Sequence, residues 1–269
     1  MRRARREANA AFVEHVAVAL RMYRTAASEA SKEWRRSLWA LAVLGLTQIA
    51  WLAATRALGG TTGGFGLGIV ESFLVGWYLS LLDVSVNRPR QIGLDDVQSR
   101  LGGLFLDTMS VLFAFWLPQF LLSRTAPTLL MVLVPVAGLA FNVVPELLYQ
   151  GKSTSFALLR DSAKFMSENW PEWLGAHIPL WLVSYGAVWL AIRQWDADLA
   201  TSVVGMFGPF FGFALSGPLA IGLMVGAPVL GIVGLGGVHW VMLFRGRLFL
   251  ALSRTNRRGR AWSERAGSR

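Results

Sequence analysis

From Leu199 to Phe244 the chain runs for 46 residues without an Asp, Glu, Lys or Arg. A soluble core has no use for such a run, whereas a helix that crosses a bilayer needs about 20 apolar residues in a row. Five other uncharged or nearly uncharged runs precede it, at 37–55, 66–86, 102–122, 126–148 and 173–192. With a rise of about 1.5 Å per residue, each matches the hydrocarbon thickness. The chain therefore reads as an all-α, polytopic membrane helix bundle. Composition agrees: 54% of the 269 residues are hydrophobic and 16% are charged, against about 25% charged in soluble domains.

The 46-residue run is too long for one span and long enough for two, so charge has to decide. Lys and Arg gather on cytoplasmic segments. With the N-terminus inside, the inner segments hold 23 of them and the outer segments hold Arg56, Arg124 and Arg193. Two spans in the last run would export the eight arginines of the tail. We therefore expect one span over 218–244, preceded by a re-entrant or broken segment around Gly205 to Gly212 (GMFGPFFG), where Gly and Pro are dense. The expected organisation is an amphipathic cytoplasmic N-terminal helix (1–36), a transmembrane domain of about six spans (37–244) and an Arg-rich cytoplasmic tail (245–269). Both termini are then cytoplasmic, in the inner (plasma) membrane of a bacterium.

This also accounts for the net charge of +10. It is positive-inside bias plus attraction to anionic lipid, with Arg245, Arg247, Arg257, Arg258 and Arg260 as headgroup contacts, and no nucleic-acid partner is implied. The Arg-rich start is followed by Glu14 and His15 without a small-residue cleavage pattern, so it reads as mature protein and not as a signal peptide.

Two amphipathic stretches flank the spans on the inner side. Residues 7–35 place Glu7, Glu14, Arg21, Ser28 and Arg35 at seven-residue spacing, with Phe12, Val16, Leu20, Tyr23, Ala27 and Trp34 opposite. Such a helix suits the inner leaflet or the underside of the bundle. Over 153–169, Phe156, Leu159, Ala163 and Met166 form an apolar stripe, while Arg160, Asp161, Lys164 and Glu168 face away. Pro171 is expected to stop that helix, with Trp170 and Trp173 at interfacial depth. Both stretches lead from a Trp into a span and then to an Arg, the outline of an internal repeat of three spans plus three. Between spans two and three, residues 91–101 read as a short inner helix. Gly222, Gly226, Gly231, Gly234 and Gly237 mark the last span for close helix contact.

Ionisable residues inside spans are costly and are functional candidates by default. Asp83, Asp107, Glu146, His177 and His239 fall near the inner ends of their spans, where they would line a polar cavity able to hold a cation or relay protons, or else pair with nearby arginines. Glu71 lies toward the outer half, with Arg56 as its natural partner. Nothing points to a metal site: there is no Cys, and no two ligands share the close helical spacing of a zinc motif. Gly151-Lys-Ser153 fails as a phosphate loop because Glu146 stands where that motif needs Gly. No nucleophile elbow or catalytic set is present, so no enzyme activity and no cofactor are implied.

The run Ser155-Phe-Ala-Leu-Leu-Arg-Asp-Ser-Ala-Lys-Phe-Met-Ser-Glu-Asn-Trp170 resembles the inner-face helix of bacterial six-span YciC-like proteins and of the membrane domain of glycerophosphodiester phosphodiesterases. The likeness covers about residues 150–195, with an echo at 15–57, and transfers no catalytic residue. The outline is also similar to that of ABC-2 type exporter permeases, although the large inner segment between spans four and five departs from them. The expectation is a non-enzymatic scaffold or partner subunit of a membrane or envelope complex, docking lipid headgroups or a cytoplasmic protein. The alternative is a transport component, as an exporter permease or an ion- or proton-coupled carrier.

Overall fold

The computed structural model describes residues 2–58, 63–88, 90–151, 155–194 and 228–254. Among them all regular structure is helical: α1 (Arg2–Arg36), α2 (Leu38–Leu58), α3 (Gly63–Asn87), α4 (Leu94–Ser99), α5 (Phe105–Thr125), α6 (Pro127–Ala140), α7 (Val144–Tyr149), α8 (Ser155–Gln194) and α9 (Pro228–Arg254). Among the described residues three segments are long and apolar enough to cross a membrane, Phe65–Asn87, Phe105–Thr125 and Leu235–Arg254, which marks this as a membrane protein. The apolar stretches Leu38–Trp51 and Val136–Tyr149 are shorter.

The core lies where α2, α3, α7, α9 and the N-terminal part of α8 meet, around Leu44, Tyr78, Leu82, Val144, Leu158, Trp173 and Leu243. α5 and α6 sit at the rim. Phe113, Trp116, Leu121, Leu129 and Val136 are exposed there, the apolar outward face expected of helices that meet lipid. α3 and α5 come close because Gly76 has no side chain: a Cβ there would lie 3.0 Å from the carbonyl of Leu104. Leu104 takes the left-handed region (φ 59°) after Gly102 (φ 75°). α5 consequently begins at Phe105, three residues later than the expected start at 102.

Expected span four, 126–148, is broken. α6 ends at Ala140 and α7 restarts at Val144, with Pro145 in its first turn. Pro145 lacks an N–H and resists a continuous helix through 141–144. The Val144 amide bonds Phe141 O at 3.1 Å instead of Ala140 O, and Ser162 Oγ takes up Ala140 O at 3.0 Å.

The opposite correction applies at Pro171, which does not stop a helix. α8 runs as one helix of 40 residues through the expected inner helix and span five. One proline removes one backbone bond, at about 3 kcal/mol. Burial of Phe165, Met166, Asn169 and Trp173 on either side holds the helix through it. Trp170 is exposed as expected, but Trp173 is fully buried and is not an interfacial anchor.

α1 and α2 are joined almost as one helix. Ser37 N bonds Glu33 O and Leu41 N bonds Ser37 O, while Arg36 O is diverted to the amide of Ile92. α1 packs antiparallel on α9, through Trp34 Nε1 to Gly236 O (3.1 Å), Trp240 Nε1 to Ser31 Oγ (3.0 Å), and Arg247 to Glu29 and Glu33. The face it buries is Ala26, Ala30 and Glu33, with Tyr23, Ala27 and Trp34 of the expected apolar side packed beside them, whereas Val16 and Leu20 of that side are exposed. Gly236 makes the close contact here, 3.4 Å from Trp34 as an added Cβ would measure it, and Gly237 faces open space. Tyr23 OH donates to Glu172 O on α8 at 2.5 Å. Burial pushes the Tyr23 phenol up from its ordinary range, and the nearby Glu172 charge adds to that.

Candidate functional site

The ionisable residues expected at the inner ends of the spans do not form one cavity. They separate into three clusters.

The first is sealed. Arg245 Nε donates to Glu146 Oε1 at 2.7 Å and its Nη2 to Glu146 Oε2 at 2.9 Å, with side chains 1% and 0% exposed. Nη2 also donates to Asn142 O at 2.6 Å, the carbonyl made available where α6 breaks. Trp173 Nε1 donates to Asn142 Oδ1 at 3.0 Å, and the Arg245 guanidinium lies 5.2 Å from the Trp173 ring centre. His177 packs against Trp173, with ring centres 4.5 Å apart and planes tilted by 36°, and donates from Nδ1 to Trp173 O at 2.6 Å. Glu146 and His177 are therefore brought together, around an arginine and a tryptophan.

This corrects the sequence reading of Arg245 as a lipid-headgroup contact. The last helix does not end at 244 but continues to Arg254, so Arg245 faces the core one position beyond the expected boundary. Arg247 is likewise turned inward. It is 14% exposed, lies 3.5 Å from Glu29 and 3.4 Å from Glu33, and its Nη2 donates to Ser85 O at 3.5 Å. Arg257, Arg258 and Arg260 lie outside the described residues.

In the second cluster Asp83 accepts from Arg100 Nη1 at 3.0 Å and from Asn87 Nδ2 at 2.7 Å. Arg100 also donates to Ser80 O at 2.9 Å, so the pair ties the loop after α4 to α3. Trp77 Nε1 adds a bond to Val97 O at 3.0 Å. Asp96 is gripped by Arg90, and the Gly93 amide donates to it at 3.0 Å. The Arg90 hydrogen bond, aided by that amide and by the charges of Arg90 and Arg100, outweighs partial burial and holds the Asp96 carboxyl below its usual range.

The third is a file. Tyr78 OH lies 2.8 Å from His239 Nδ1, and His239 Nε2 lies 2.8 Å from Ser37 Oγ. Ser37 Oγ donates to Glu33 O at 2.8 Å. His239 Nε2 is therefore the donor to Ser37, and Nδ1 accepts from Tyr78, a tautomer assigned from the network.

Asp107 stays apart, half-buried near the start of α5, with no side-chain partner among the described residues. Glu71 lies on α3 beside a small pocket lined by Thr47, Gln48 and Trp51 of α2 and by Tyr78. The Arg56 side chain, its expected partner, lies outside the described residues, as does the expected re-entrant segment. Among the described residues no group of three or more His, Cys, Asp or Glu is arranged to hold a metal ion.

Sequence reasoning missed Arg245, Trp173, Tyr78 and Gln48. Glu146 carried a usable signal, being a carboxylate within an apolar run, whereas Arg245 opens an arginine-rich stretch and looks like a headgroup anchor. Gln48 is a lone polar amide within an otherwise apolar span. Tyr78 and Trp173 look like any core aromatic. Compared with protein-family models, with curated proteins and with solved structures, the chain matches none.

Proposed function

We propose that the chain is a non-enzymatic integral membrane protein that serves as scaffold or partner subunit of a membrane complex. In this reading it has about six spans, a re-entrant segment before the last and both termini on the cytoplasmic side of a bacterial inner membrane, in the manner of the YciC-like proteins that residues 155–170 resemble. The observation that carries the reading is that four of the five inner-end ionisable groups are already committed. Asp83, Glu146, His177 and His239 each hold an internal partner. The contacts of Asp83, Glu146 and His239 fix helices relative to one another, and among the described residues these groups share no common cavity for a cargo. The rim of α5 and α6 is then the face offered to a partner helix.

Photo-crosslinking from Phe113 or Leu117 in native membranes tests this. A discrete protein adduct that co-purifies with the chain in mild detergent is the expected result, and labelling of lipid alone would overturn it. The rival reading, a transport component, draws on Glu71, a carboxyl in a span without a described partner. Asp107→Asn should leave a scaffold's complex intact; loss of function with the complex still assembled would favour the carrier.

A further inference from the structure

Glu71 and Gln48 face the same pocket from adjacent helices. Gln48 is 4% exposed, yet its Oε1 has no hydrogen-bond partner. The Glu71 carboxyl also has no hydrogen bond or ion pair among the described residues. A buried acceptor without a donor is uncommon and calls for a mobile proton, a water or an ion. The pocket is otherwise lined by Leu44, Leu74 and Val75, by Trp51, and by Thr47, whose hydroxyl donates to Leu44 O at 2.7 Å. Its remaining polar wall is Tyr78, the first member of the file described above. From there the donors all point one way, Tyr78 to His239 to Ser37, toward the junction of α1 and α2. At that end Glu33 is 5% exposed and keeps one carboxylate oxygen unpartnered, and Arg36 beside it is 53% exposed.

We propose that Glu71 is a proton-binding carboxyl, and that Tyr78, His239 and Ser37 form the hydrogen-bonded route by which its proton exchanges with the side of the membrane where α1 lies. In one passage Glu71 gives its proton to a pocket water, and that water protonates Tyr78 Oη as Tyr78 passes its own proton to His239 Nδ1. His239 releases its Nε2 proton to Ser37 Oγ, whose own proton passes, as the hydroxyl turns away from Glu33 O, to the Glu33 carboxylate and on past the exposed Arg36 to solvent. Each member of the file ends with as many protons as it began, and the hydroxyls and imidazole reset by rotation and tautomer exchange. The other groups near Glu71 do not share its pocket: α2 presents no titratable side chain among those described, and Asp107 of α5 is not part of the lining. The inference goes beyond the scaffold reading, and either can fail without the other.

The test is infrared difference spectroscopy on the full chain in lipid nanodiscs after a pH step. Wild type should show the carbonyl stretch of a protonated carboxylic acid rising and falling with pH. Glu71→Gln should lose that band, and Asp107→Asn should keep it. Tyr78→Phe should keep the band but approach its new amplitude about tenfold more slowly, for loss of one hop. A band unchanged in Glu71→Gln overturns the site. A band lost there but equally fast in Tyr78→Phe overturns the route. Sodium that displaces the band at constant pH would make the site a cation site and overturn the proton assignment. Should Glu71→Gln fail to fold, Glu71→Asp keeps the acid and must shift the band; an unshifted band overturns the site.

Discussion

Arg245 and Glu146 are fully enclosed, where neither water nor headgroups reach them. Burying two charges is expensive, and their mutual attraction offsets it only with good geometry. Here the contact is two-pronged, at 2.7 and 2.9 Å, with Asn142 O taking a further donor. Breaking one side is the costly change. Glu146→Gln should lower stability by about 3–5 kcal/mol, while Glu146→Gln combined with Arg245→Met should recover most of it; thermal unfolding in detergent measures both. Glu146 was legible as a candidate because a carboxylate in a span is conspicuous. Arg245 was not, because an arginine at the end of an apolar run looks like a headgroup anchor. Its partner lies 99 positions away, and nothing local announces it.

At the scale of elements, hydrophobic runs predicted the helices well and their interruptions poorly. Pro145 and Pro171 are the same residue type with opposite outcomes. Around Pro145 the freed backbone groups find Ser162 and Arg245, which makes a break affordable. Around Pro171 the flanking side chains are buried on one continuous face, which makes a break expensive. Those differences live in tertiary contacts and not in the dipeptide. The seven-residue pattern of residues 7–35 did give a helix, but only the later part of its apolar side docks: Tyr23, Ala27 and Trp34 pack on the core, while Val16 and Leu20 stay exposed. Glu33 is buried because Arg247 meets it. Arg247→Ala therefore leaves Glu33 without that partner and should weaken the docking of α1 by about 1–3 kcal/mol. Trypsin would report it, cutting faster at the exposed Arg21 and Arg24 while the rest of the bundle stays protected.

For the whole molecule, the membrane assignment needed no tertiary information, because length and polarity alone set it. Sidedness rests on where the 26 Lys and Arg fall. A periplasm-dependent reporter fused after Arg269 should stay inactive, and one placed after Arg124 should be active; the reverse pattern would turn the bundle over. Synthesis order is constrained as well. Trp34 bonds to a residue 202 positions later, on α9. α1 thus waits, with its docking face bare, until α9 has been translated. A prematurely terminated product can insert its early spans yet never close this clasp, so the exposed first helix would distinguish unfinished chains from finished ones to quality-control proteases.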